Sequence, residues 1–209
     1  MTKFNRLMIV TILAIITTNS YSQSIGFKTG LNLSQIFMKD QGGNIRDTPG
    51  IKPGFHVGVF AELPVTGVFY FEPELLFSTK GYTLAIESLK YKANLNYIDI
   101  PLNAKAKFEI GGAKLYGAFG PYIGIGLSGK VKYENSTDDY DIKWGSETEN
   151  DFKRFDFGLT FGAGVEIKSF LFGASYEIGL ANVSANTAIF NQISNRVIGI
   201  SIGYKFNRK

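Results

Sequence analysis

The sequence predicts an all-β protein, an eight-stranded antiparallel up-and-down transmembrane β-barrel, on three observations. Large apolar residues alternate with small or polar ones through eight separate stretches. The connections between those stretches alternate between tight turns and long polar segments. The apolar phase is bulky, while the opposite phase is dominated by glycine and serine. Successive side chains of a β-strand point to opposite faces, so each stretch reads as a strand with one wide side and one narrow side.

The first predicted strand, 24–35, sets Ile25, Phe27, Leu31 and Leu33 against Gly26, Lys28, Gly30, Asn32 and Ser34. The second, 52–63, sets Phe55, Val57, Val59 and Leu63 against His56, Gly58, Phe60 and Glu62. In the third, 68–83, Phe71, Leu75 and Phe77 oppose Glu72, Glu74, Leu76, Ser78 and Lys80; in the fourth, 94–108, Ile98, Ile100, Leu102 and Phe108 oppose Asp99, Asn103, Lys105 and Lys107. The fifth, 114–131, sets Leu115, Phe119, Ile123, Ile125 and Leu127 against Tyr116, Gly120, Tyr122, Gly124, Gly126 and Ser128. The sixth, 153–168, sets Phe155, Phe157, Leu159 and Phe161 against Asp156, Gly158, Thr160 and Glu166. The seventh, 170–183, alternates Phe172, Tyr176 and Ile178 with Gly173, Ser175, Glu177 and Gly179, and the eighth, 197–206, alternates Ile198, Ile200, Ile202, Tyr204 and Phe206 with Gly199, Ser201, Gly203 and Lys205.

Tight connections are expected at 64–67, 109–112 and 168–169, and long polar ones at 36–51, 84–93, 132–152 and 184–194. All long loops then fall at one end of the meander, as in bacterial outer-membrane barrels with short periplasmic turns and long surface loops, and both mature termini lie in the periplasm.

Alternation alone leaves two orientations open, a secreted barrel with an apolar inside and a membrane barrel with an apolar outside. Volume separates them, because an eight-stranded ring encloses only enough space for side chains to fill. The Phe, Ile and Leu of the wide face overfill such a lumen, whereas the Gly and Ser of the narrow face suit it, so the apolar face is assigned to lipid. Closure then satisfies every backbone group and lets a chain of near-zero mean hydropathy cross a bilayer. Aromatic girdles are expected from Phe69, Phe71, Phe108, Phe170, Tyr204 and Phe206 at the turn end and from Phe55, Tyr82, Phe155 and Phe157 at the loop end.

Residues 1–22 carry Lys3 and Arg6 before an apolar run from Leu7 to Ile16 and end on Ser20-Tyr21-Ser22, the layout of a secretory signal peptide cleaved before Gln23. The apolar run is shorter than the roughly 20 residues a helical anchor needs. Residues 23–209 form the barrel domain. The chain has no cysteine, which excludes disulfides, thiolate metal sites and an acylated cysteine anchor. A net charge of +4 without a basic, aromatic-interleaved cluster excludes a nucleic-acid partner.

Four stretches carry a family resemblance: 26–34 (Gly26-Phe27-Lys28-Thr29-Gly30-Leu31-Asn32-Leu33-Ser34), 73–81 (Pro73-Glu74-Leu75-Leu76-Phe77-Ser78-Thr79-Lys80-Gly81), 97–102 (Tyr97-Ile98-Asp99-Ile100-Pro101-Leu102) and 120–124 (Gly120-Pro121-Tyr122-Ile123-Gly124). In this order they resemble the PorT-like outer-membrane β-barrel family of Bacteroidetes, over essentially the whole mature chain. The resemblance implies an eight-stranded barrel without a catalytic motif, and the family's founding member assists secretion of proteases to the cell surface. Pro73, Pro101 and Pro121 fall inside these motifs and within strands, and are read as local bulges. The alternating apolar residues ending at Phe206 resemble the signal read by the barrel insertion machinery, although Asn207-Arg208-Lys209 follow them.

The narrow face carries charges of both signs: Lys28, Lys80, Lys105, Lys107, Lys130 and Lys205 against Glu62, Glu72, Glu74, Asp99, Asp156, Glu166 and Glu177. Unpaired buried charges are costly, so mixed charge in a narrow lumen reads as a paired, plugging network anchored by Glu74 and Asp99; a narrow conduction path is the alternative. His56, the single histidine, is expected in the lumen near the loop end. With Asp47, Asp156 or Ser78 it could serve a rim hydrolase or acyltransferase; as a lone lumenal histidine it is a hydrogen-bonding packing residue. The segment 132–152 gathers Glu134, Asp138, Asp139, Asp141, Glu147, Glu149 and Asp151 around Trp144. It lacks the spacing and glycine of an EF-hand, so it reads as a solvated surface loop, with Ca²⁺ binding or partner recognition as alternatives. The expected protein is a monomeric, cofactor-free, non-enzymatic barrel. Its partners are outer-membrane lipid and lipopolysaccharide and, through loops 36–51 and 132–152, a surface or secretion partner. Its role lies in envelope integrity, surface interaction or secretion assistance, with a small-solute channel or a His56 rim enzyme as alternatives.

Overall fold

The computed structural model describes residues 23–39, 50–86, 89–133, 139–185 and 192–206. The segment 1–22 expected as a signal peptide, Asp47, Glu134, Asp138 and residues 207–209 lie outside the described residues. In chain order the strands are β1 (Ser24–Lys39), β2 (Lys52–Thr66), β3 (Phe69–Ile86), β4 (Leu89–Ile110), β5 (Ala113–Tyr133), β6 (Tyr140–Asp141), β7 (Phe155–Ile167), β8 (Phe170–Gly179) and β9 (Gln192–Phe206). Eight of them close a ring, each antiparallel to its neighbours, in the order β1-β2-β3-β4-β5-β7-β8-β9 and back to β1. The described strands therefore number nine rather than eight. The extra one, β6, is a two-residue strand laid on Lys130 and Val131 within the segment expected to be a plain loop.

The two phases separate as alternation requires. Leu31, Phe155, Ile25 and Ile200 are more than half exposed on the outside, while Asp99, Asp156, Lys80 and Lys105 are fully enclosed. Tight hairpins follow β2, β4 and β7. Gly111 and Gly112, at φ +58° and +84°, supply the two positive-φ positions that a two-residue turn matching the strand twist demands. Inside, glycine lets neighbouring backbones approach: a Cβ on Gly120 would stand 2.0 Å from the Leu102 carbonyl oxygen.

Besides the extra strand, β1 runs to Lys39 and β9 starts at Gln192, so parts of the expected loops 36–51 and 184–194 are paired strand, and five further features depart from the sequence reading. The expected long loop 84–93 is mostly strand, since β3 and β4 continue to pair through Thr83–Lys92 and Leu84–Tyr91 to Ile86–Leu89. Tyr82 shares its phase with Lys80, faces inward and packs on an apolar cluster rather than joining a girdle. β8 ends at Gly179, where the backbone N–H groups of Leu180 and Ala181 turn to the Phe157 carbonyl. The prolines make no bulges: register runs unshifted past Pro73 and Pro101, and each drops out of one ladder while keeping its partner in the other, Leu102 and Tyr122 respectively. A register shift does occur where Asn96 pairs Ser128 but Tyr97 pairs Gly126, which inserts Leu127 as an extra residue in β5. That insertion reverses the phase beyond it, so Lys130 points outward, 54% exposed, and not into the lumen as expected.

Substituting Gly120 by alanine drives a methyl into the β4 backbone. The variant is expected to lose about 1–3 kcal/mol of stability, read as a lower urea midpoint of the refolded barrel.

Candidate functional site

The lumen is built from the narrow faces of all eight ring strands and is organised in layers. At the turn end, Glu62 and Glu166 share Lys107 and Lys205, while Lys105 lies 2.5 Å from Glu72 and 3.6 Å from Glu62. Above them Lys28 meets Glu74 at 2.6 Å, and Asn103 donates to the other Glu74 oxygen at 3.0 Å. Towards the loop end Lys80 holds both Asp99 (2.9 Å) and Glu177 (3.1 Å). Asp156 instead accepts from the Tyr122 hydroxyl at 3.1 Å and from Asn195 at 2.9 Å.

Of the thirteen charges expected in the lumen, twelve lie inside the ring and Lys130 does not; the twelve form separate groups, in which Glu74 and Asp99 take different lysines and Asp156 takes neutral donors. Reading the charges alone missed the aromatic partners. Lys80 sits over Tyr97 and Tyr122 at 5.1 and 4.8 Å, Lys105 over Tyr116 at 4.1 Å, and Lys107 over Tyr70 at 4.7 Å. The signal was visible, because Tyr116 and Tyr122 interrupt a run of small residues, Ala118, Gly120, Gly124, Gly126 and Ser128, on the same phase. A ring face stabilises an ammonium held away from water, and more so when desolvated.

His56 is 6% exposed. It lines a cavity of about 50 Å³ together with Asn32, Ser78, Lys28, Glu74 and Glu177. Its Nδ1 lies 2.7 Å from Asn32 Oδ1, and Asn32 Nδ2 donates to Ser78 Oγ at 2.9 Å. Because the Asn32 amide nitrogen is the donor to Ser78, its oxygen accepts, which assigns the imidazole proton to Nδ1. Asn32 thus engages both His56 and Ser78, which face each other across β2 and β3, and Asp156 bonds elsewhere. The cavity holds a few waters at most.

Beyond the Lys80 layer the interior turns apolar. Ile36, Met38, Leu95, Tyr97, Ile142, Phe152, Val183 and Ile193 form a buried cluster, with Trp144, Tyr82, Leu84 and Val131 against it. The segment expected to be a solvated loop supplies three of these groups. Trp144 meets Tyr97 edge-on at 5.5 Å and occupies the space above Gly126, where a Cβ would lie 2.2 Å from the indole. The acidic residues of the same segment are dispersed: Asp139 pairs Lys132, Asp141 pairs Lys130, and Asp151 accepts from the Lys143 backbone N–H. Among the described residues no three His, Cys, Asp or Glu side chains converge to hold a metal ion.

Replacing Lys80 by methionine strands Asp99 and Glu177 without their cation. The expected cost is about 3–5 kcal/mol in urea unfolding, with much of it recovered when Asp99 is replaced by leucine in the same chain.

A family model described as "Outer membrane protein beta-barrel domain" matches residues 20–185. A search of curated proteins finds no match. Among solved structures, OprG from Pseudomonas aeruginosa superposes with a TM-score of 0.54 at 11% identity, covering 90% of this chain and 97% of that one. Ail, the attachment invasion locus protein of Yersinia pestis, gives a TM-score of 0.43 at 16% identity, covering 89% and 99%. OprG supports the fold alone, and the family match extends over most of the sequence. With its closed ring, apolar exterior and layered charged interior, the chain belongs to the outer membrane protein beta-barrel domain family and spans the outer membrane as a β-barrel.

Proposed function

We propose that this protein is a non-enzymatic, monomeric barrel that acts through its loop-end surface in envelope integrity, surface interaction or secretion assistance, in the manner of the PorT-like proteins of Bacteroidetes that its motifs resemble. Residues 1–22 direct export and are removed before Gln23, and the barrel insertion machinery places the mature chain in the membrane. The observation that carries this reading is the filled lumen. Three groups of ion pairs lie below an apolar cap of Leu95, Tyr97, Trp144 and Phe152, which among the described residues fill the bore against passage of a solute. What remains for a partner is the rim, where 146–149 of the capping segment are exposed and β3 and β4 continue paired to Ile86–Leu89.

A strain lacking the protein tests this directly. It is expected to show a defect in protein secretion, adhesion or detergent sensitivity that the full chain restores. Restoration should fail when Glu147 and Glu149 are replaced by lysine together with truncation of the β3–β4 extension. A strain normal in all three phenotypes would refute the reading.

Two further measurements separate the alternatives. A small-solute channel is favoured only by the cavity beside His56; in planar bilayers the purified barrel is expected to give no stepwise conductance, and regular steps would establish a channel. His56→Ala is expected to leave lipase, protease and acyltransferase assays at background together with the wild type, since Asn32 occupies His56 Nδ1 and donates to the Ser78 hydroxyl. Activity in the wild type that disappears in the variant would establish the rim enzyme.

A further inference from the structure

The Leu127 bulge has an effect on the outer surface. Along the outward faces of β3, β4 and β5 the apolar wall ends at the row Phe77–Ile98–Ile125 and the outward Leu127 of the bulge. The next rows are polar: Thr79–Asn96–Ser128, then Gly81–Asn94–Lys130, then Thr83–Lys92–Lys132. Without the extra residue, Lys130 and Lys132 would point into the barrel mouth, and Gly129 and Val131 would face out. Instead Gly129 and Val131 turn inward, where Ile142 packs over Gly129, and the two lysines emerge two and three rows above the end of the lipid-facing wall. Bulges commonly serve to re-aim side chains in this way.

These residues do not form a flat patch. Asn94, Asn96, Ser128, Lys130, Lys132 and Asp141 of β6 line an outward concavity of about 340 Å³. Asn96 donates to Ser128 at 2.9 Å, which fixes the floor. Lys130 lies 3.6 Å from Asp141 and Lys132 3.3 Å from Asp139, with both ammonium-bearing side chains more than half exposed. Exposed pairs of this kind contribute little and yield readily to a multiply charged competitor. Two ammonium groups, two carboxamides and a hydroxyl converging at the upper edge of a lipid-facing wall match the chemistry of a phosphate monoester at headgroup height.

We propose that this pocket binds the phosphate group of an anionic saccharolipid of the outer leaflet, with Lys130 and Lys132 as charge partners and Asn94, Asn96 and Ser128 as hydrogen-bonding neighbours. The proposal rests on the reading above that the loop end faces outward from the membrane. It gives that surface a specific ligand class, and it makes the short strand β6 the outer wall of a lipid site.

The test uses the refolded full chain in phosphatidylcholine nanodiscs doped with bis-phosphorylated lipid A, with lipid retention read by native mass spectrometry and affinity by titration. Lys130→Gln/Lys132→Gln is expected to weaken binding about tenfold or more, as for loss of two charge-assisted contacts. Lys130→Arg/Lys132→Arg should bind as the wild type does, and Lys168→Gln, at the opposite end of the barrel, should change nothing. Dephosphorylated lipid A should bind wild type and glutamine variant alike and weakly. Equal affinity of wild type and glutamine variant for the phosphorylated lipid would overturn the proposal. So would binding of inorganic phosphate as tight as that of the lipid, which would make the pocket a free-phosphate site. Heat-modifiable migration of every variant reports separately on the membrane-barrel reading, so a folded glutamine variant with undiminished binding counts against the pocket alone.

Discussion

Pairing of β1 with β9, from Ile25–Phe206 to Lys39–Gln192, joins the ends of the described chain and leaves no strand edge in the ring. Hydrocarbon offers no partner to a free N–H or carbonyl, so an open sheet of this sequence could not cross a bilayer. Closure at eight strands also sets the interior width, which explains why one side of the wall is glycine and serine and the other isoleucine and phenylalanine. The proline interruptions are tolerable for the same reason. Pro73 and Pro101 each give up one ladder position while the second ladder holds the strand in place.

Within that width the charges act as struts across the lumen. Lys28 of β1 reaches Glu74 of β3, Lys80 of β3 reaches Glu177 of β8, and Lys107 of β4 reaches both Glu62 of β2 and Glu166 of β7. None of these pairs joins adjacent strands, so each fixes a distance across the ring rather than along a ladder. A one-residue slip of any strand would turn its charges into lipid and its isoleucines or phenylalanines into a lumen with no room for them. Buried ion pairs are weak contributors to net stability, but here they make register errors costly.

The ring strands, their two phases and their turns were legible in the sequence because a period of two persists through ten or more residues with few exceptions. The lumenal charges were legible for the same reason. Three features were not. A bulge is a single-residue change of phase, and Gly126-Leu127-Ser128 contains nothing that distinguishes an inserted leucine from the next lipid-facing one. The extension of β3 and β4 was hidden because Glu87-Ser88, Lys90 and Lys92 break up 84–93 as they would a loop, although Leu84, Ile86, Leu89 and Tyr91 keep apolar positions that strands clear of lipid can use. The inward fold of the capping segment was masked by its acidic residues, although Ile142, Trp144 and Phe152 mark the positions that leave water. His56 was placed correctly inside, but its partner Asn32 lies on the neighbouring strand and emerges only from register.

The pairing of Lys205 with Glu62 joins residues 143 apart in the chain. Glu62 and Glu166 belong to strands that precede β9 in the chain, and Lys205 is carried by β9 itself, the strand on which the circuit ends. Until β9 docks between β8 and β1, those carboxylates face an open, hydrated trough with only Lys105 and Lys107 to balance them. Seating the last strand therefore completes the hydrogen-bond ring and the turn-end charge set in one event. A nascent barrel with its seam open is consequently marked by surplus negative charge on its inner wall, and a sealed one is not. Closure of the ring and completion of the turn-end charge set are thus tied to a single ammonium group.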